Sequence, residues 1–226
     1  ALRARAIRTL GDFNFDAEIV TSTGKHRWMR ITATVDGVDG QARRIFGMKQ
    51  DVTEEKLLAE RTRRMAETDA LTGLANRSLF QTRLGDLRDD SHARPIGALI
   101  LIDLDRFKSI NDTLGHAQGD ACLIEAGRRL TACCTSEALV ARIGGDEFAI
   151  ILSQGAAPGP ENLCASIVEA FREPFVLGGQ SHQIGASIGM TRNSGQDAEA
   201  LYRDADSALY QAKSEGRGTW RYFTAA

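Results

Sequence analysis

The stretch ALVARIGGDEFAIILS (138–153) decides the fold. Two apolar runs, ALVARI (138–143) and EFAIILS (147–153), flank a Gly-Gly-Asp break, which is a strong hairpin signal. Upstream, IGALILID (96–103) is an apolar run ending in an acid, as expected of a buried strand whose last residue emerges at a sheet edge. GDACLIEAGRRLTACC (119–134) has helical spacing through Leu123, Ala126, Gly127 and Leu130. Downstream, GAAPGP (155–160) reads as a loop, ENLCASIVEAFR (161–172) as a helix and HQIGASIGM (182–190) as a strand. AEALYRDADSALYQAKSEG (198–216) reads as a helix stopped by Gly216, and TWRYF (219–223) as a final strand. Helices and strands alternate, but one strand pair is a hairpin. The expected class is α/β (α+β), a mixed sheet with flanking helices rather than a purely parallel one.

The first quarter of the chain has a different texture. AEIVTS, HRWMRITATV and QARRIFGMKQ, separated by TGK and DGVDG, read as three antiparallel strands within 16–50. Three strands with few large residues make a thin core, so this piece is expected to pack on something else. DVTEEKLLAERTRRMAE (51–67) offers a cap and then a charged helical run. Leu58 and Met65 stand seven apart, which suits either a short coiled-coil seam or a solvated linker helix. The expected organisation is a sensor-like piece at 1–52, a linker helix at 53–68 and the main domain at 69–226.

Of 226 residues, 42% are hydrophobic and 26% charged, an ordinary globular composition. The net charge of −2 carries no basic footprint, so nucleic acid is not an expected partner. No apolar run approaches a membrane span, and residues 1–10 do not read as a secretory leader. The chain begins with Ala in what reads as a strand-rich unit, so it is expected to be a piece of a longer protein. Cys122, Cys133, Cys134 and Cys164 form no CxxC pair and have no histidine at zinc spacing, so free thiols in a reducing cytoplasm are expected.

The acids carry the chemistry. Asp103 ends one strand, while Asp146 and Glu147 sit at the hairpin. If those strands are neighbours, three carboxylates meet at one sheet edge. Two like charges at 4 Å repel by about 4 kcal/mol at an effective dielectric of 20, so such a cluster wants a cation. Oxygen ligands with few protein donors suit Mg2+, with Mn2+ as an alternative. The bland reading is that Asp103 caps a turn and the hairpin acids are solvated. Gly144 and Gly145 let a bulky ligand approach the hairpin backbone, though alone they prove only a turn. In DLDRFKSINDTLGHAQGD (103–120), Lys108 is followed by Asn111, His116 and Asp120, placed in a loop that opens the next helix. Asn and Asp together can read a guanine edge, since a carboxylate accepts from donors that adenine lacks; Asp120 also reads as a helix cap. Lys213 and Arg217, four apart at a helix end, suit either a triphosphate or solvent.

These residues resemble the GGDEF family of diguanylate cyclases. The resemblance rests on DALTGLANR (69–77), DLDRFKSINDTLGHAQGD (103–120), RIGGDEF (142–148) and DSALYQAKSEGRG (206–218), and spans about 69–223. Residues 16–56 resemble the C-terminal half of a PAS domain, ending in the QDVTEEK junction. The family resemblance implies a fold like the polymerase palm and nucleotidyl cyclases. It implies condensation of two GTP into cyclic di-GMP with release of two pyrophosphates, by two domains facing each other in a homodimer. By position, Asp103, the Leu104 carbonyl and Asp146 would hold the metal, with Glu147 assisting; Asp146 and Glu147 are the catalytic candidates. Asn111, His116 and Asp120 match substrate-binding positions, with Asn111 and Asp120 on guanine. Lys108, Lys213 and Arg217 would meet phosphate, and Gly144 and Gly145 would admit the nucleotide. One departure stands out: the RxxD product site of many members falls here on TSEA (135–138), so product feedback is expected to be weak. GRGTWRYF (216–223) resembles a junction into an EAL-type phosphodiesterase, a fusion partner beyond this chain, although no EAL sequence is present.

Overall fold

The computed structural model describes residues 9–39, 41–86 and 95–224. His92 and most of residues 1–10 lie outside them, as does Gly40 of the DGVDG turn. The chain divides into two compact units at Arg64 and Met65.

The first unit is an antiparallel sheet of β1 (Asp12–Val20), β2 (His26–Val38) and β3 (Gln41–Asp51), in that spatial order. DGVDG is only partly a turn: β2 runs on through Val38, and a register shift at Asp36/Gly37 absorbs the irregularity. The buried apolar residues are few, Ala33, Val35 and Val52, while Phe46 is 50% and Met48 63% exposed on β3. Ions do part of the work. Arg30 bridges Asp16 and Glu55, and Lys56 also pairs with Asp16. Helix α1 (Thr53–Glu67) starts where Asp51 accepts from the Thr53 N–H and the Thr53 hydroxyl accepts from Trp28 N. Its Leu57, Leu58 and Met65 are exposed.

The second unit is a three-layer sandwich. Its five-stranded sheet has the order β10-β9-β4-β6-β5, with β4 (Ile96–Leu104), β5 (Ala138–Gly144), β6 (Glu147–Ser153), β9 (Ala186–Arg192) and β10 (Trp220–Tyr222). Only β9–β10 is parallel, so the sheet is mixed as expected. β4 is central and covered on both faces, which is why it reads as a continuous apolar run. Ile100, Ile102 and Leu104 join one core with α4 (His116–Cys133) and α5 (Pro160–Ala170) through Leu123, Leu130, Leu163 and Ile167. Leu99 and Leu101 join the other with α2 (Arg77–Gly85) and α6 (Ala198–Ser214) through Phe80, Leu84, Leu201 and Leu209. Each fully buried Leu, Ile or Phe contributes roughly 1.5–3 kcal/mol.

Several boundaries differ from the sequence reading. The run at 182–190 splits: β7 (Phe175–Leu177) and β8 (Gln180–His182) form a small ribbon, and the sheet strand starts at Ala186. Gly178 and Gly179, with φ of 58° and 81°, make the ribbon's turn. Residues 107–120 are not a loop. Phe107–Leu114 forms α3, and α4 begins at His116 rather than Gly119. Gly115 (φ 82°) turns the chain sharply between the two helices, and that break masked the helical pattern on either side.

Candidate functional site

The site lies at the end of β4. Register places Asp103 between Glu147 on β6 and Ser187 on β9. The Leu104 N–H donates to the Asp146 carbonyl at 3.2 Å, tying the hairpin to the end of the central strand. Asp103 Oδ2 accepts from Lys213 Nζ at 2.5 Å, a pair formed across 110 residues of sequence. Asp103 therefore emerges at the end of the central strand, beside the first residue of the hairpin's second strand.

The hairpin is held from behind. Arg142 donates to the Gly145 carbonyl from Nε at 3.0 Å and Nη2 at 2.8 Å, and to both Asp69 oxygens at 3.2 and 3.3 Å. Burial acts to raise the Asp69 carboxyl, but the Thr72 hydroxyl and N–H, with Arg142, outweigh it and keep it below the usual range. Asp69 thereby stays an anion that orients Arg142. Asp146 moves the other way. Burial raises its carboxyl above the ordinary value, and the neighbouring charge of Asp103 adds to the rise while Lys213 and Arg142 oppose it.

This supplies the test of fit for a cation. Two carboxylates feel each other's charge, and one is destabilised as an anion, which is the electrostatic state a divalent ion relieves. Among the described residues, no three His, Cys, Asp or Glu side chains stand in metal-holding geometry. Glu147, the register partner of Asp103, lines a cavity of about 540 Å³ with Arg77, Phe80, Ile143 and Tyr202, on the sheet face covered by α2 and α6. Burial raises the Tyr202 hydroxyl, and the charge of Glu147 raises it further. The residues that would hold a cation here are Asp103 and Asp146.

The remaining candidates lie on α3, α4, α6 and the turn after α6. Lys108 and Asn111 are on α3, and His116 and Asp120 are in the first turns of α4. Asn111 packs against Gly119, where an added Cβ would lie 1.9 Å from Asn111 Oδ1. Lys213 is in the last turn of α6, but Arg217 is not on the helix: it lies beyond Ser214 with φ 67°, between Gly216 (116°) and Gly218 (60°). The helix stops earlier than expected because Arg217 N turns back to the Ala212 carbonyl at 3.1 Å.

Sequence reasoning missed Asp105. Its carboxylate accepts from the Ser187 hydroxyl at 2.6 Å and from the Gly218 N–H at 2.8 Å. The spacing of two from Asp103 puts both carboxylates on the same end of β4, and this was the available signal.

The domain is a mixed α/β sandwich with Asp103 at the end of its central strand, paired to Lys213, and with Asp146 on the adjoining hairpin turn. A family model for the diguanylate cyclase GGDEF domain matches residues 66–219. The chain belongs to that family. It is 39% identical to the diguanylate cyclase TpbB of Pseudomonas aeruginosa, over 69% of this chain and 37% of TpbB. It is 35% identical to the cyclic di-GMP phosphodiesterase PdeR of Escherichia coli, over 77% of this chain and 26% of PdeR. Among solved structures it resembles the coiled coil and GGDEF domain of DgcB from Caulobacter crescentus in complex with c-di-GMP. That match has a TM-score of 0.67 and 27% identity, and covers 76% of this chain and 93% of that one. The chain spans 16–41% of the length of eight curated relatives it matches. Among the described residues, no helix is long and apolar enough to cross a membrane.

Proposed function

We propose that the chain is the catalytic piece of a diguanylate cyclase, condensing two GTP into cyclic di-GMP and two pyrophosphates. The observation that carries this reading is Asp103 at the end of the central strand, paired with Lys213 and joined to the Asp146 turn by the Leu104 N–H to Asp146 carbonyl bond. Asp103, Asp146 and the Leu104 carbonyl would hold Mg2+ or Mn2+, which when bound offsets the charge that develops on the reacting phosphate. Lys108, Lys213 and Arg217 bind the triphosphate. Asn111 and Asp120 take the guanine edge, with His116 beside them at the start of α4. Gly144 and Gly145 leave the hairpin backbone open to the nucleotide.

The 3′-hydroxyl of one GTP attacks the α-phosphorus of the other; the new P–O bond forms as the bond to pyrophosphate breaks. Asp146, made more basic by burial, takes part in removing the hydroxyl proton, and Glu147 supports the hairpin's placement. Repeating the step closes the ring. Two bound GTPs must face each other, so two domains act as a homodimer, and holding them in place supplies on the order of 7–11 kcal/mol in favourable cases. Residues 1–52 serve as the end of a PAS-type sensor and α1 as the helix that transmits its state. The exposure of Leu58 and Met65 on α1 supports a helix-pairing role. The reading places the chain in the cytoplasm, where GTP is found, as part of a larger signalling protein.

A second reading is a GTP-binding module that regulates a neighbouring domain. The likeness to PdeR, a phosphodiesterase by name, favours it. Incubation with GTP and Mg2+, followed by chromatography, separates the two. A cyclase yields cyclic di-GMP, and Asp146→Ala abolishes it with the circular dichroism spectrum unchanged. Binding without turnover, across concentrations that populate the dimer, establishes the regulatory reading instead.

A further inference from the structure

The loop after α6 holds three consecutive residues at positive φ, Gly216, Arg217 and Gly218. Glycine adopts that conformation freely; arginine does so at a cost, and such strain persists only where neighbouring contacts impose it. Arg217 makes no side-chain hydrogen bond or ion pair among the described residues; its N–H turns back to the Ala212 carbonyl at 3.1 Å, which fixes one side of the turn. The restraint on the other side comes from Asp105. One carboxylate oxygen receives the Gly218 N–H at 2.8 Å and the other the Ser187 hydroxyl at 2.6 Å. The Asp105 N–H is itself fixed on the Gly185 carbonyl at 2.9 Å. Gly185 makes room for this arrangement, because a Cβ there would stand 2.7 Å from Asp105 Oδ2. Ser187 is fully buried in β9, so its hydroxyl is a rigid anchor.

We infer that Asp105 is a positioning residue for phosphate binding: it staples the 216–218 turn to the sheet edge and so presents Arg217, strained and unpaired, to the polyphosphate. The inference rests on the nucleotide reading of the site. Asp103 and Asp105 then divide the work between two cations. Asp103 holds Lys213 directly, and Asp105 holds the backbone that carries Arg217. Asp105 needs its shape more than its charge. An Asn at 105 can accept from the Gly218 N–H through Oδ1 and donate to the Ser187 hydroxyl through Nδ2, whereas Ala can do neither.

The test is a binding series with α,β-methylene GTP, which cannot undergo the α–β cleavage, and with GMP. The full chain and its Asp105→Ala, Asp105→Asn, Arg217→Ala and Asp105→Ala/Arg217→Ala variants are compared by calorimetry. Asp105→Ala is expected to weaken the triphosphate analogue about tenfold and GMP by less than about twofold. Asp105→Asn is expected to stay within about threefold of the unmodified chain. In the double variant the two losses are expected not to add, since both remove the same contact. Exchange of the Gly218 amide, read by NMR without nucleotide, is expected to quicken in Asp105→Ala and not in Asp105→Asn. Three results overturn the inference while leaving the nucleotide reading intact: equal loss for GMP and the triphosphate analogue, additive losses, or Asp105→Asn behaving like Asp105→Ala, which would mean the charge itself acts. If the unmodified chain does not prefer the triphosphate analogue to GMP, the phosphate assignment and this inference fall together.

Discussion

Replacing Gly119 by Ala probes the guanine assignment without touching a polar group. Gly119 is the fourth residue of α4, and an added Cβ would lie 1.9 Å from Asn111 Oδ1 and 2.9 Å from its Cγ. The Asn111 carbonyl already accepts the Gly115 N–H at 2.9 Å, so its backbone is fixed and the side chain must swing away. Going from 1.9 Å to the 3.4 Å of ordinary contact requires a displacement of about 1.5 Å. Overpacking of this kind costs about 1–3 kcal/mol, but Ala in place of Gly returns about 1 kcal/mol of helix propensity. The net loss of stability is therefore small, between about 0 and 2 kcal/mol. The effect on the ligand is larger, because misplacing a recognition group by about 1 Å can cost on the order of 100-fold. Gly119→Ala is expected to lower affinity for α,β-methylene GTP by about 10- to 100-fold, and to shrink the preference for it over the adenosine analogue. Calorimetry gives both affinities, and thermal unfolding gives the stability. A variant that keeps its guanine preference with Asn111 displaced would refute the role of Asn111 on the base.

Asp146→Asn should raise the melting temperature at pH 7 in the presence of a chelator. A carboxyl raised in the folded state stabilises the fold below its ordinary value of 3.8, and that contribution is lost as pH rises through the folded value. The gain should therefore shrink as the medium is acidified towards 3.8. A gain that grows in acid would show that the burial argument has the wrong sign. Cyclic di-GMP should inhibit turnover only weakly, because residues 135–138 read TSEA; a dose series that gives strong non-competitive inhibition would place a product site elsewhere. Cys122 and Cys164 should resist iodoacetamide at pH 8 until urea unfolds the chain. Burial pushes Cys122 up to about 12 and Cys164 higher still, so little thiolate forms at either. Fast native labelling at either position would contradict their burial.

The local rules carried a long way. The β5–β6 hairpin, the apolar β4 with Asp103 as its penultimate residue, and α6 are written in short-range patterns: a Gly-Gly-Asp break, an unbroken apolar run and a 3.6-residue period. The acids at that edge were legible for the same reason, since a carboxylate at the end of a buried strand is unusual wherever it is met. The α3–α4 corner was not legible, because Gly115 breaks the periodicity in the middle of a helical segment. The β7–β8 ribbon hid inside what read as the approach to a longer strand.

What only the tertiary structure decided is which distant groups meet. Beyond the β5–β6 hairpin, the strand order β10-β9-β4-β6-β5 comes from pairings that no local pattern encodes. Lys213 reaches Asp103 across 110 residues, and Gly218 reaches Asp105 across 113. The same folding sets Glu147 directly across from Asp103 in the β4–β6 register, on the face covered by α2 and α6, where it also lines the cavity beside Tyr202. Sequence determined the kinds of groups present; the sheet decided which of them act together.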